Sequence, residues 1–370
     1  MTNDFPTGHG SAAAFIRTLT GLLPPEQVVV YTASMPGDAA YDATVGFPVL
    51  RDPARNLLPT AKVAAGIVDA FQAYGCDRVL FGAAAPLGLL APALRQAGAR
   101  RLVGITHTRE VWWARLPVAR QALRRIGDSV DVLTYLGDAT RSVVAPALSP
   151  AAAGEMARLA PGVDPDVFRP GHGGPDVRRR YGIGPRDPVV VCVAALARGM
   201  GQDRLVRTLP RVLDAVPDAR LMLVGGGTQG RGLAELARSL GVADRVVLTG
   251  AVPRSAAPPY LDAGNVFVWP GRTRIAPPGP EPVGTVLLEA QSCRLPVVVA
   301  GSSGSAETIL VGETGYLVAR HDPVAVADRL IELLRDPHRA AGMGRSGRAW
   351  IERSWTWDQV GARLTALLAG

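Results

Sequence analysis

The chain has 370 residues, 48% of them hydrophobic and 19% charged, enough apolar content for two α/β cores and too much for a disordered polypeptide. Formal net charge is +8, and of the 40 basic residues only Lys62 is a lysine; such a surface favours phosphate-bearing partners, whether nucleotides or anionic lipids. No apolar run reaches the ~18–20 residues of a spanning helix. Met1-Thr2-Asn3-Asp4-Phe5-Pro6 lacks the basic start and apolar stretch of a secretory leader, and Cys76, Cys192 and Cys293 lie in apolar surroundings without metal-ligand spacing, so buried thiols in a cytoplasmic protein are expected.

Short aliphatic runs predict strands at Gln27–Tyr31, Arg78–Phe81, Leu102–Thr106 and Asp131–Tyr135, with helices between them at Ala61–Tyr74 and Leu89–Gln96. The scheme repeats further on. Strands are expected at Pro188–Val193, Arg220–Val224, Arg245–Leu248, Asn265–Trp269 and Leu295–Ala300. Helices are expected around Gln202–Ala215, Gly232–Leu240, Gly284–Ser292 and Pro323–Leu334. Alternation of this kind implies parallel sheets covered by helices on both faces, that is, an α/β class. The stretch Pro161–Pro175 is rich in turn residues and breaks the pattern. It divides the chain into an N-terminal domain over 1–165 and a second domain over 166–355. A final helix, about Asp358 to Leu368, is expected to cross back to the first domain within 356–370. In doubly wound sheets ligands bind at the carboxyl ends of the strands, so two such domains facing a deep cleft can hold a donor on one side and an acceptor on the other.

The segment Pro280-Glu281-Pro282-Val283-Gly284-Thr285-Val286-Leu287-Leu288-Glu289-Ala290 carries the strongest chemical signal. A carboxylate precedes a glycine at a helix start, and a second carboxylate follows eight residues later. Free N–H groups at Gly284, Thr285 and Val286 suit a phosphate or a sugar hydroxyl. Carboxylates accept hydrogen bonds from hydroxyls, so the pair can grip a sugar ring and a ribose, although spacing alone is equally that of ordinary helix carboxylates.

In this setting the Glu-x7-Glu pattern resembles retaining GT-B glycosyltransferases of family 4. So do Leu159-Ala160-Pro161-Gly162-Val163-Asp164 with Phe168 and Pro170, the glycine turn Leu223-Val224-Gly225-Gly226-Gly227, and Gly301-Ser302-Ser303-Gly304-Ser305-Ala306-Glu307-Thr308. The chain is similar, over nearly its whole length, to the bacterial GDP-mannose-dependent phosphatidylinositol-mannoside mannosyltransferases. The matching segments include Phe81-Gly82-Ala83-Ala84-Ala85-Pro86-Leu87, Val130-Asp131-Val132-Leu133-Thr134-Tyr135 and Arg272-Thr273-Arg274.

The resemblance implies the fold GT-B and retaining transfer of a sugar from a nucleotide-diphosphate donor, GDP-mannose, with no metal and no cofactor. It implies that Glu281 holds the transferred sugar beside the backbone of Gly284 and Thr285, that Glu289 holds the nucleotide ribose, and that His107 lies near the reacting centre. Gly10 matches the first of a glycine pair that approaches the donor phosphates; Ser11 stands in place of the second. Ala195 and Met200 occupy the positions of the arginine and lysine that usually grip the diphosphate. Within that loop, which ends at Gly201, Arg198 is the expected substitute, with Arg272 or Arg274 a further source of charge. Arg109 and Trp113 replace a histidine and a glycine of close relatives.

Two cations on a leaving diphosphate normally supply several kcal/mol, so their loss opens alternatives. One is a tailoring enzyme moving an unusual GDP-sugar to a small acceptor; the other is a lapsed GT-B binding protein. The basic amphipathic stretch Arg115–Ile126 is expected to touch an anionic membrane face, placing the chain in the cytoplasm at the inner membrane. No basic–aromatic motif points to nucleic acid. Family members also place a buried strand just before the Thr2–Pro6 segment. A central strand cannot be dropped without stranding its neighbours' backbone groups, and the expectation is a translation start upstream of Met1.

Overall fold

The computed structural model describes residues 1–3, 5, 11–271, 284–301, 303–319 and 322–370. Gly10, Arg272, Arg274 and Glu281 therefore lie outside the described residues, and of Ser11 only the backbone is described, at the start of the helix Ser11–Gly21. The chain divides into two compact units. One comprises Met1–Pro161 together with Trp357–Gly370; the other is Gly162–Thr356.

In the first unit the strands are β1 Val30–Ala33, β2 Val49–Asp52, β3 Arg78–Phe81, β4 Arg101–Ile105, β5 Val132–Tyr135 and β6 Ala157–Arg158. β1 pairs with β2, and β3-β4-β5-β6 form a second ladder; all pairings are parallel. Met1 and Thr2 join the two ladders. Thr2 N–H donates to Tyr31 O (3.1 Å), Gly82 N–H donates to Met1 O (2.8 Å), and the Met1 ammonium donates to Leu80 O (2.9 Å). The helix Trp357–Ala369 turns Val360 and Leu364 into a cluster with Phe15, Ile16, Leu19, Ile105 and Leu159, all of them buried.

The second unit is one six-stranded parallel sheet. Its strands are β7 Val189–Val193, β8 Arg220–Val224, β9 Val246–Leu248, β10 Val266–Trp269, β11 Val297–Ala300 and β12 Gly315–Val318. They are ordered β12-β11-β10-β7-β8-β9. This is the doubly wound order, with its reversal between β7 and β10. The central strands read Val-Val-Val-Cys-Val, Val-Phe-Val-Trp and Val-Val-Val-Ala because both faces are covered. On one face Leu205, Val206, Leu209 and Val212 of the helix Gln202–Ala215 meet Val326, Leu330 and Leu333 of the helix Pro323–Arg335.

The strand expected from Gln27 begins only at Val30, because Pro24 and Pro25 open a 3-10 turn over Pro25–Gln27. β2, β6 and β12 were not expected from the sequence. All three are sheet edges: Arg51, Ala157 and Arg158 are only half-buried, Leu317 is exposed, and polar residues interrupt β2 and β6.

Candidate active site

The reversal point of the second unit lies at the carboxyl ends of β7 and β10. After β7 the chain runs through Ala194–Gly201 and enters the helix Gln202–Ala215. Ala194 N–H donates to Val224 O (3.0 Å) and Leu196 N–H donates to Gly226 O (2.8 Å), so this loop is laid along the glycine turn that follows β8. The approach needs glycine. Gly225 has φ +145°, and a Cβ there would lie 2.1 Å from Ala194 O. Gly201 has φ +85°, and a Cβ on it would lie 2.5 Å from Gly271 O, at the start of the loop after β10. The loops after β7 and β10 thus touch at backbone level. Buried Gln202 fixes the first of them by donating from Nε2 to Ala195 O (2.9 Å). Ala195, Ala197 and Arg198 are exposed on this loop, and Met200 is half-buried.

Beyond β10 the helix Thr285–Ser292 starts with half-buried Gly284, Thr285 and Val286, whose amides precede the first helical turn. Glu289 follows one turn later and is 4% exposed. Its Oε1 accepts from Nη2 of Arg254, which comes from the turn Arg254–Ala256 beyond β9. Burial pushes the Glu289 carboxyl above the usual carboxylate range, and the guanidinium opposes that rise. Linear spacing gave no sign of Arg254, since 35 residues separate the partners; a lone arginine just past a strand end was the available signal.

In the first unit His107 stands at the carboxyl end of β4 and caps the helix Thr108–Trp113. Its Nε2 lies 2.9 Å from Gly82 O at the end of β3. A carbonyl can only accept, so Nε2 is the donor in this contact. Phe15 meets the ring edge-on at 6.2 Å. Glu110 holds this arrangement from beneath. It is completely buried, and its two oxygens accept from Ala85 N–H and His107 N–H, each at 2.7 Å. The histidine-to-glutamate spacing of three residues, that of a capping box, was the overlooked signal. Arg109 is exposed and reaches Ala85 O at 3.4 Å.

Arg198 and Gly201 thus lie on the loop that follows β7, and Gly284, Thr285 and Val286 at the start of the helix that follows β10, with Glu289 one turn further along it; His107 belongs to the first unit. Among the described residues no group of acidic, histidine or cysteine side chains could hold a metal ion, and no helix is long and apolar enough to cross a membrane.

Residues 175–350 match the model for glycosyl transferases group 1. The chain is 44% identical to the GDP-mannose-dependent alpha-(1-6)-phosphatidylinositol monomannoside mannosyltransferase of Mycolicibacterium smegmatis, over 100% of this chain and 97% of that protein. The chain belongs to the group 1 glycosyltransferases. It is also 37% identical to the GDP-mannose-dependent monoacylated alpha-(1-6)-phosphatidylinositol monomannoside mannosyltransferase of Corynebacterium glutamicum, over 100% and 96% of the two chains. Among solved structures, HepE of Anabaena in complex with UDP is similar with a TM-score of 0.80 at 19% identity, covering 97% of this chain and 96% of that one. Sucrose-phosphate synthase of Thermosynechococcus elongatus follows with a TM-score of 0.72 at 21% identity, over 97% and 92%. These likenesses identify the fold as GT-B.

Proposed function

We propose that this glycosyltransferase moves mannose, with retention of configuration, from GDP-mannose to a phosphatidylinositol-mannoside-like acceptor. The observation that carries this reading is the full-length identity of 44% and 37% to two enzymes with that donor and acceptor class. In this reading the amides of Gly284, Thr285 and Val286 face the donor phosphates, Glu281 takes hydroxyls of the mannose, and Glu289 accepts from the ribose diol. Arg198, exposed on the loop beside Gly201, supplies charge that Ala195 and Met200 do not, together with Arg272. By the resemblance, Gly10 and Ser11 take part in holding the donor phosphates.

As the bond to the diphosphate breaks, positive charge grows on the sugar and negative charge on the leaving oxygen, where helix N–H groups and arginines are most effective. The acceptor hydroxyl attacks from the face the diphosphate leaves, and a departing phosphate oxygen takes its proton. Glu281 and Glu289 act as a sugar and ribose clamp, not as the facing acid and nucleophile of a hydrolase. His107 lies near the reacting sugar, as the resemblance implies.

The helix Pro117–Ser129 buries Leu123 and Ile126 and exposes Arg120, Arg124 and Arg125, with Leu116 and Val118 52% and 82% exposed at its start. This combination suits a peripheral position on the anionic inner face of a membrane, with the chain in the cytoplasm.

The test is a thermal-shift panel with GDP, UDP, ADP and GDP-mannose, followed by product analysis with phosphatidylinositol monomannoside. GDP and GDP-mannose should raise the melting temperature by mass action, and Glu281→Ala should abolish turnover. Mannosyl transfer to a small soluble acceptor in place of the lipid would favour a tailoring enzyme. No response to any nucleotide would refute the reading.

A further inference from the structure

The ion pair between Arg254 and Glu289 joins the turn beyond β9 to the helix that follows β10, and it is asymmetric. The glutamate side chain is 5% exposed, whereas the arginine side chain is 58% exposed. A carboxylate so stripped of water would normally be neutral unless a cation stands beside it. Among the described residues, Arg254 is that cation. Among the described residues the other titratable group facing Glu289 is Cys293, one turn along the same helix. Burial, with Asp262 and Glu289 nearby, pushes its thiol up to about 12, so it stays neutral. Arg254 occupies Oε1 alone, and Oε2 carries no protein hydrogen bond among the described residues.

The ionisation state matters for a diol. An ionised carboxylate accepts at both oxygens, so two vicinal hydroxyls can donate to it together. A protonated carboxyl turns one oxygen into a donor and loses half of that pattern. We infer that Arg254 is a positioning residue of the nucleotide site, holding Glu289 as a charged, doubly accepting carboxylate for the ribose diol. The inference rests on the assignment of Glu289 to the ribose given above. It adds a residue from a different element and gives nucleotide binding a dependence on pH that is set outside the clamp itself.

The experiment is calorimetric titration of GDP between pH 5.5 and 9 with the wild type, Arg254→Met and Arg254→Lys, the full chain being used throughout. Removing a cation in contact with a carboxylate raises the carboxyl pKa by about 1 unit or more. Arg254→Met should therefore bind GDP about tenfold more weakly than wild type near pH 6.5, the loss of charged hydrogen bonds. Its affinity should recover as pH rises, with the midpoint at least about 1 pH unit above that of wild type. Arg254→Lys should lie close to wild type. With GDP-mannose the Met variant should raise KM and leave kcat little changed, because the ribose contact is the same in ground and transition states.

Equal weakening at every pH would overturn the inference and show a structural role or a direct contact. Tighter binding by Arg254→Met would also overturn it, and would make the arginine a competitor for the carboxylate. Wild-type protein that fails to bind GDP at all would instead refute the assignment of the nucleotide site, a result readily told apart from either.

Discussion

Replacing Gly201 by alanine puts the contact between the two switch-point loops under direct strain. The residue has φ +85°, where an L side chain is destabilised by about 1–2 kcal/mol. The added methyl would lie 2.5 Å from Gly271 O and 3.0 Å from the Pro270 ring. The carbonyl belongs to backbone, so one loop must retreat by about 0.5 Å or more, and overpacking of this kind adds about 1–3 kcal/mol. The summed loss of about 2–5 kcal/mol should lower the unfolding transition of the second unit by about 5–15 °C, followed by scanning calorimetry. GDP affinity should fall at least about tenfold, since small displacements of binding groups are expensive. Gly232→Ala is the matched control. It lies within the helix Gly230–Ser239 with nothing within 4 Å of the new methyl, and should stabilise by about 0.5–1 kcal/mol. A Gly201→Ala protein with wild-type melting and wild-type GDP affinity would refute the steric reasoning.

Glu110→Ala should leave the amides of Ala85 and His107 without their buried acceptor, a loss of about 2–5 kcal/mol in chemical denaturation. Its turnover should fall further than that of a surface variant such as Asp128→Ala, because His107 loses its support. The Asp187 carboxyl is held below its ordinary value of 3.8 by the Gly184 N–H and by Arg220. A group with a depressed folded pKa stabilises above its unfolded value and loses that contribution as pH falls through the folded one. Urea midpoints measured from pH 6 down to pH 3 should therefore fall less steeply for Asp187→Asn than for wild type. Burial pushes Cys192 and Cys293 up to about 12, so both should resist iodoacetamide at pH 8 until the protein is unfolded, as read by mass spectrometry.

The sequence made the second unit's sheet legible because its central strands are buried on both faces. Val189–Val193 and Val297–Ala300 are unbroken aliphatic runs that no amphipathic helix would show. Edge strands such as Val49–Asp52 and Gly315–Val318 escape that logic, since Val49, Leu50, Arg51 and Val318 are only half-buried and Leu317 is exposed. The site divides in the same way. Gly284, Thr285, Val286 and Glu289 lie on one short segment, and a helix start is readable from a glycine before an apolar run. The pairing of Arg254 with Glu289, and the seating of the loop after β7 on Gly225, depend on which strands become neighbours across the sheet. No local period encodes that. Glu110 lay within reach of local reasoning, yet its role is visible only when the Ala85 amide arrives from another strand end.

The helix Trp357–Ala369 has a consequence for how the protein is made. All of residues 162–356 separate it in the chain from the rest of its unit. On the ribosome the second unit can complete its six-stranded sheet while the first still lacks Val360 and Leu364. Until those residues emerge, Phe15, Leu19 and Leu159 have no cover over that part of their cluster. The first unit, although synthesised earliest, is therefore the last to close. Its nascent form passes through a period of exposed apolar surface in which a chaperone or premature aggregation competes for it.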